Sequence, residues 1–282
     1  MQTIKNDIMK ILCPTDMSES AINGIEYAAK LAQSLKSSLT LVNFQKIPVG
    51  EGLTLFALGE RKSVKEAKKS DAMLDETCSE IHKTYNIPCD HLIIPSLGSM
   101  EKAIAEEGEK FDLIVLGTNG ANELFQHYFG THSFQIAKQT NTPVLIVPEG
   151  ASFKPYREIV FSSDYNEGDT LHLKEMKSLA EKFKARVKVI HVSEKDTEAS
   201  KALYQTFCNT IEEELDTISQ VDCQRIINKD VFDALEKLIE KSDADLVTVS
   251  YQKHSILYKL FHKNLIKELT ASVSVPMLVL HN

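Results

Sequence analysis

Two short groups of glycine and hydroxyl residues in the first half of the chain have a spacing that suits a polyphosphate. Gly117-Thr-Asn-Gly120 comes directly after an apolar run, and Gly130-Thr-His-Ser133 begins a predicted helix after nine intervening residues. Glycine carries no Cβ, so the backbone can turn tightly and approach a ligand. The free N–H groups and the dipole at a helix start favour an anion. The predicted phosphate-binding residues are Gly117, Thr118, Asn119, Gly120, Gly130, Thr131, His132 and Ser133.

The elements that must position these residues occur twice in the chain. Ile11-Leu-Cys-Pro-Thr-Asp16 corresponds to Ile159-Val-Phe-Ser-Ser-Asp164, and Thr142-Pro-Val-Leu-Ile-Val147 corresponds to Val275-Pro-Met-Leu-Val-Leu280. Between these segments, short apolar runs alternate with helical patterns. Each half therefore predicts a βαβαβαβαβ order, which gives a parallel sheet with helices on both faces.

The length of 282 residues also favours two domains. We expect them at residues 1–150 and 151–282, joined by the stretch Glu149–Pro155, whose Gly, Ser and Pro are typical of a linker. The first half is longer, mainly because of extra residues around Ile47–Arg61. Proline and glycines in that segment predict a surface loop that leads into a helix over Lys62–Tyr85.

Glycine most often serves only to make a turn, and this is the alternative interpretation of the predicted phosphate site. The aligned positions in the second half of the chain are Ser250, Lys253, Lys263 and Asn264. That half keeps its strands and its spacing without the glycines. The fold therefore does not require them, which favours phosphate binding by the first half.

Together these motifs resemble those of a known family. The pattern Gly-x2-Gly-x9-Gly-Ser/Thr after an apolar strand, followed by a Pro-Val-Leu-Ile-Val strand, resembles the ATP-binding signature of the universal stress protein family. The segment Ile11–Ser18 resembles that family's first strand and turn. The resemblance covers two copies, approximately residues 5–149 and 155–282, and the motif is complete in the first copy. It implies two tandem α/β domains, each with an open twisted five-stranded parallel sheet of Rossmann-like type and strand order 3-2-1-4-5.

The resemblance also implies how a ligand is held. Pro14, Thr15 and Asp16 would lie beside the adenine and ribose, Phe44 would meet the adenine edge through its backbone, and Leu116 would line the ribose side. The implied ligand is ATP or another adenine nucleotide, with or without Mg²⁺. Asp16 has a second interpretation, as a capping residue near the first helix.

The last strand of each half predicts how the halves are joined. Pro143–Val147 and Pro276–Leu280 are apolar and would each lie at a sheet edge, where an exposed strand invites aggregation. Single-domain members of the family resemble dimers joined along this strand. We therefore expect the two strands to pair within one chain, and a homodimer remains a further interpretation.

Composition excludes several other classes of protein. The net charge of −8 provides no electrostatic footprint for nucleic acid or an anionic membrane surface. No stretch reaches the ~18 apolar residues that a membrane span requires. The five cysteines form no Cys-x-x-Cys pair, which is typical of a reduced, cytoplasmic protein. The histidines lack metal-ligand spacing, and no P-loop is present.

These observations predict a cytoplasmic, nucleotide-binding protein of the stress response that regulates an unidentified protein partner. No residue is placed as a general base for attack on a phosphate. Two alternatives stay open. One is a slow ATP hydrolase, or a protein that phosphorylates itself at Thr131 or Ser133. The other is an interaction scaffold without a ligand.

Overall fold

A computed structural model describes the chain over residues 8–46, 53–96, 98–118, 133, 135–165, 167–214, 220–251 and 275–281. Its centre is a ten-stranded sheet with buried apolar clusters on both faces. Along the first strand, Ile11 and Cys13 belong to one cluster and Leu12 to the other, because successive side chains of a strand point to opposite faces. No helix within the described residues is long and apolar enough to cross a bilayer.

Helices alternate with the first five strands in the part of the chain that the structure describes. The strands are β1 (Lys10–Pro14), β2 (Ser38–Lys46), β3 (Cys89–Ser96), β4 (Leu113–Gly117) and β5 (Val144–Val147). The helices are α1 (Glu19–Leu35), α2 (Leu53–Tyr85) and α3 (Met100–Gly108). Residues 133 and 135–137 are also helical.

The last five strands repeat this alternation. The strands are β6 (Glu158–Ser162), β7 (Arg186–Ser193), β8 (Val221–Ile227), β9 (Leu246–Tyr251) and β10 (Met277–His281). The helices are α4 (Glu167–Phe183), α5 (Glu198–Glu214) and α6 (Val231–Lys241).

The strand order across the sheet is β3-β2-β1-β4-β5-β10-β9-β6-β7-β8. The predicted order 3-2-1-4-5 is therefore confirmed in the first part of the sheet. Counted from the opposite edge, the last five strands follow the same order. All neighbours are parallel except β5 and β10, which pair antiparallel with Leu145 opposite Leu278. The predicted pairing of the two final strands is confirmed.

The second helix begins earlier than predicted. We expected a loop over Ile47–Arg61, but residues 53–61 are helical and α2 starts at Leu53. Gly59 is a loop signal in the sequence, but one glycine inside a helix costs only about 1 kcal/mol, and the leucine and alanine residues around it favour helix. Residues 47–52 of the predicted loop lie outside the described part of the chain.

The stretch between the two groups of strands is packed rather than merely polar. The ring of Phe153 meets Tyr27 of α1 edge to face, with ring centroids 5.3 Å apart, and also contacts Phe183 of α4. The hydroxyls of Tyr27 and Tyr156 lie 3.0 Å apart and are buried. Phe153 of the predicted linker and Tyr156 directly after it therefore help to hold α1 and α4 together.

Candidate functional site

A cavity of about 390 Å³ opens at the carboxyl ends of the first four strands. Strand β1 lies between β2 and β4, so the chain order reverses at this place in the sheet. Ligands of open parallel sheets bind in this crevice, outside the carboxyl ends of the strands. The volume is also within the range of small-molecule sites.

Most of the predicted site residues that the structure describes lie around this cavity. Those that line it are Pro14, Thr15, Asp16, Phe44, Leu116, Gly117 and Ser133. Thr118 lies next in the chain but is not among the lining residues, because its buried hydroxyl faces the Val147 carbonyl at 3.4 Å. The other predicted residues lie outside the described part of the chain: Asn119, Gly120, Gly130, Thr131 and His132.

The turn after β1 is fixed to β2 by two hydrogen bonds, and a third closes the turn itself. The Thr15 N–H donates to the Val42 carbonyl at 2.8 Å, and the Asn43 side-chain amide donates to the Thr15 carbonyl at 2.8 Å. The Thr15 hydroxyl oxygen accepts from the Met17 N–H at 3.0 Å. This turn is therefore a rigid wall of the cavity.

Asp16 shapes the turn but does not cap the helix. Its Oδ1 accepts from the Ser18 N–H at 3.0 Å, while Met17 between them has a φ of 62°. The N-cap of α1 is Ser18, whose side chain accepts from the Ala21 N–H. The capping interpretation of Asp16 is therefore wrong, since the helix begins two residues too late for it. Its exposed carboxylate lines the cavity.

A close contact between two glycines fixes the other wall. A Cβ on Gly24 of α1 would lie 2.8 Å from the Gly117 nitrogen and 3.0 Å from its Cα. Such distances are too short for any side chain, so α1 rests directly on the end of β4. In α4 the corresponding sixth residue is His172, and the end of β9 has Ser250 in place of Gly117. The close contact is therefore a feature of the first half.

The sequence patterns did not point to the wall between β3 and α3. Ser96, Gly98, Ser99, Met100, Glu101 and Ile104 line this side. Gly98 has a φ of 115°, which residues with a side chain rarely adopt, and Ser99 caps α3 by accepting from the Lys102 N–H. Glycine and serine before a helical pattern are a helix-start signal, and examining the end of the third strand would have found them. Ala21, Asn43 and Ile136 complete the lining.

Comparison with known proteins shows the family. The profile of the Universal stress protein family matches residues 8–148. This chain belongs to the universal stress protein family. No curated protein sequence matches it.

Solved structures extend the likeness in fold to the rest of this universal stress protein. A universal stress protein from Archaeoglobus fulgidus DSM 4304 has 16% identity and a TM-score of 0.75, over 96% of this chain and 98% of the other. A functionally unknown protein from Pseudomonas aeruginosa PAO1 has 16% identity and a TM-score of 0.63, over 98% and 93%. A universal stress protein in complex with cAMP matches 45% of this chain and 98% of its own, with 14% identity and a TM-score of 0.37.

The chemistry of the lining suits a nucleoside better than a bare polyphosphate. Apolar side chains of Phe44, Ile104, Leu116 and Ile136 are suited to the face of a planar base. Asp16 and Glu101 bring negative charge, and no Lys, Arg or His lines the cavity among the described residues. Carboxylates accept hydrogen bonds from sugar hydroxyls but repel phosphate.

Phosphates in this universal stress protein would therefore have to lie away from Asp16 and Glu101. Gly117 and Ser133 also line the cavity and flank residues 119–132 in the chain, which include the remaining predicted phosphate ligands. The described residues hold no group of three His, Cys, Asp or Glu side chains suited to a metal ion.

Proposed function

We propose that this universal stress protein binds one adenine nucleotide, ATP above all, in the cavity of its first half. The observation that carries the proposal is the coincidence of two independent lines of argument. Residue types, spacing and the family resemblance selected the candidate residues. Seven of them line a cavity of about 390 Å³ at the strand reversal, where ligands of open parallel sheets bind.

The ligand orientation follows from the lining. The adenine would lie against Phe44, Leu116 and the isoleucines, with its edge at the backbone of β2. The carboxylate of Asp16 would accept hydrogen bonds from the ribose hydroxyls. The phosphates would lie at Gly117 and Ser133 and reach the glycine and hydroxyl residues between them.

We propose a regulatory role in the stress response, in the cytoplasm, rather than fast catalysis. Phosphate contacts with residues 117–133 would change the surface that a partner protein meets. Phosphoryl transfer needs cationic groups that neutralise the developing charge, and the described lining has none. Phosphate release at saturating ATP should therefore be slow or absent. A fast release, or phosphate found on Thr131 or Ser133, would favour the enzyme alternative.

We also propose that residues 1–150 and 151–282 are two domains, the second a diverged copy that serves structure or regulation. The turns after β1 and β6 support this. Tyr165 has a φ of 58°, like Met17, and its N–H donates to the Ser163 hydroxyl oxygen at 3.0 Å. The His191 ring nitrogen lies 2.8 Å from the Ser163 carbonyl, just as the Asn43 side-chain amide lies 2.8 Å from the Thr15 carbonyl.

Calorimetric titration with ATP tests the proposal. We expect a stoichiometry near one per chain. Asp16→Asn should weaken binding about ten- to a hundredfold, because one charged hydrogen-bond acceptor of the ribose is lost, at about 1.5–3 kcal/mol. Asparagine keeps the Oδ1 that accepts from Ser18, so the turn survives.

Asp164→Asn is the matched control, since Asp164 follows β6 as Asp16 follows β1. It should leave the affinity unchanged. Equal effects of the two substitutions, or a stoichiometry near two, would contradict a site in the first half alone. Absence of nucleotide from protein purified without added ligand, combined with no heat on titration, would favour the scaffold alternative.

A further inference from the structure

Two cysteines on neighbouring elements have sulfur atoms almost in bonding range. Cys78 of α2 is nearly covered, and Cys89 begins β3 with its side chain half-buried. The Cys89 thiol donates a hydrogen bond to the Cys78 sulfur across 3.0 Å. A disulfide bond is about 2.05 Å long, so the two sulfurs need to approach by only about 1 Å. We propose that Cys78 and Cys89 form a dithiol that peroxides oxidise to an intramolecular disulfide.

The surroundings divide the roles between the two sulfurs. The hydrogen bond from Cys89 lowers the pKa of Cys78 against the opposing effect of burial, and the nearby His91 ring acts in the same direction. Because Cys89 is the donor, the same hydrogen bond raises the pKa of Cys89, and burial raises it further. His91 is held at 3.1 Å from the Asp71 carboxylate. Cys78 is therefore the thiolate that attacks, and Cys89 is the thiol that resolves.

The chemistry balances with hydrogen peroxide as the oxidant. The Cys78 thiolate attacks one peroxide oxygen, so that an S–O bond forms, the O–O bond breaks, and hydroxide leaves and takes up a proton as water. Cys78 is then a sulfenic acid. The Cys89 sulfur next attacks the Cys78 sulfur, so that the S–S bond forms and the S–O bond breaks. The hydroxyl leaves with the Cys89 proton as a second water.

The same chain contains cysteines that serve as internal comparisons. Cys208 of α5 and Cys223 of β8 also lie side by side, and burial followed by their hydrogen bond raises the pKa of Cys223. Across the strands of the first half, His91 of β3 is level with Cys13 of β1. Across the strands of the second half, Cys223 of β8 is level with Phe161 of β6, so Cys223 occupies the position that corresponds to His91. The second pair therefore lacks a histidine at that place. Burial raises the pKa of Cys13 to about 12, so this thiol stays protonated.

Peroxide titration of the full reduced chain tests the proposal. After treatment with hydrogen peroxide, remaining thiols are alkylated and the peptides are mapped by mass. We expect a cross-linked Cys78–Cys89 peptide, lighter by two hydrogen atoms, at doses that leave Cys208 and Cys223 alkylated. Cross-linking of Cys89 to Cys13, or alkylation of both Cys78 and Cys89 at the dose that oxidises Cys208 and Cys223, would overturn it.

Three variants separate the roles. Cys89→Ser should stop at a sulfenic acid on Cys78, which a cyclic dione reagent traps. Cys78→Ser should slow the oxidation of Cys89 at least about tenfold, since the thiolate that attacks peroxide is gone. His91→Asn should shift the midpoint of the pH profile of Cys78 oxidation to higher pH, because a group that favours the thiolate is removed. Equal rates of Cys89 oxidation in Cys78→Ser and the unchanged chain would refute the assignment.

Discussion

Leu278 is the position at which a single charge should do most harm to the joined sheet. It lies opposite Leu145 in the antiparallel pairing of β5 and β10, and both side chains are buried in the same apolar cluster. It also lines a cavity of about 320 Å³ whose other lining residues include Asp112 and Glu175. A lysine at this position can reach those carboxylates, whereas an aspartate is short and meets their repulsion. The sign of the charge should therefore decide the size of the effect.

The magnitudes follow from burial. Loss of the leucine surface removes about 2 kcal/mol, since the side chain is 9% exposed. Partial burial of the ammonium group adds on the order of 1 kcal/mol after attraction by the carboxylates, for a total near 3 kcal/mol in Leu278→Lys. In Leu278→Asp the carboxylate finds no cation among the described residues that line that cavity, and we expect a loss of about 4–5 kcal/mol.

Urea denaturation followed by circular dichroism measures both losses. Ile227 of the outer strand β8 is 45% exposed, so Ile227→Lys and Ile227→Asp are matched controls expected within about 0.5 kcal/mol of the unchanged chain. Leu278→Lys as stable as Ile227→Lys would refute the pairing of the two strands. Equal losses for Lys and Asp at position 278 would refute the role given to Asp112 and Glu175.

Three further predictions concern the site and the turn after β6. Gly24→Ala places a methyl group against the Gly117 backbone, so we expect a loss of about 2–3 kcal/mol in stability together with weaker ATP binding; full affinity in the folded variant would contradict the close-contact argument. Gly130→Val should abolish ATP binding with the ligand-free melting temperature nearly unchanged, whereas failure to fold would favour a purely structural glycine. Burial lowers the pKa of His191 from 6.5, so the folded chain keeps the ring neutral where the unfolded chain takes up a proton. The contribution of the neutral His191 ring to stability should be complete above about pH 6.5 and fall below that pH. In His191→Asn the melting temperature should therefore depend less on pH in this range; the same pH dependence in the variant and the unchanged chain would refute this.

The strands and the first turn could be predicted from the sequence because their signals are local. Leu113–Gly117 and Val144–Val147 are short apolar runs, and the structure buries almost all of their side chains. The pairing of β5 with β10 was also within reach, since an apolar strand at a sheet edge needs a partner. These predictions rest on patterns that tertiary contacts reinforce rather than override.

The wall formed by β3 and α3 and the start of α2 could not be predicted in the same way. Strand β3 alternates half-buried and exposed residues and contains Pro95, so it lacks the continuous apolar run of the central strands. At the start of α2, one glycine and a few apolar residues carry competing signals for loop and helix.

The contrast between the two halves gives the strongest argument that the glycine contact serves the cavity. Both groups of five strands have the same order, and both helices that follow the first strand of each group have 17 residues. Nevertheless the sixth residue is Gly24 in one helix and a buried His172 in the other, opposite strand ends that carry Gly117 and Ser250. A sheet covered by helices therefore forms with or without the close contact. In the first half, two glycines meet where α1 contacts β4, and Gly117 at this contact lines the cavity that we propose for the nucleotide.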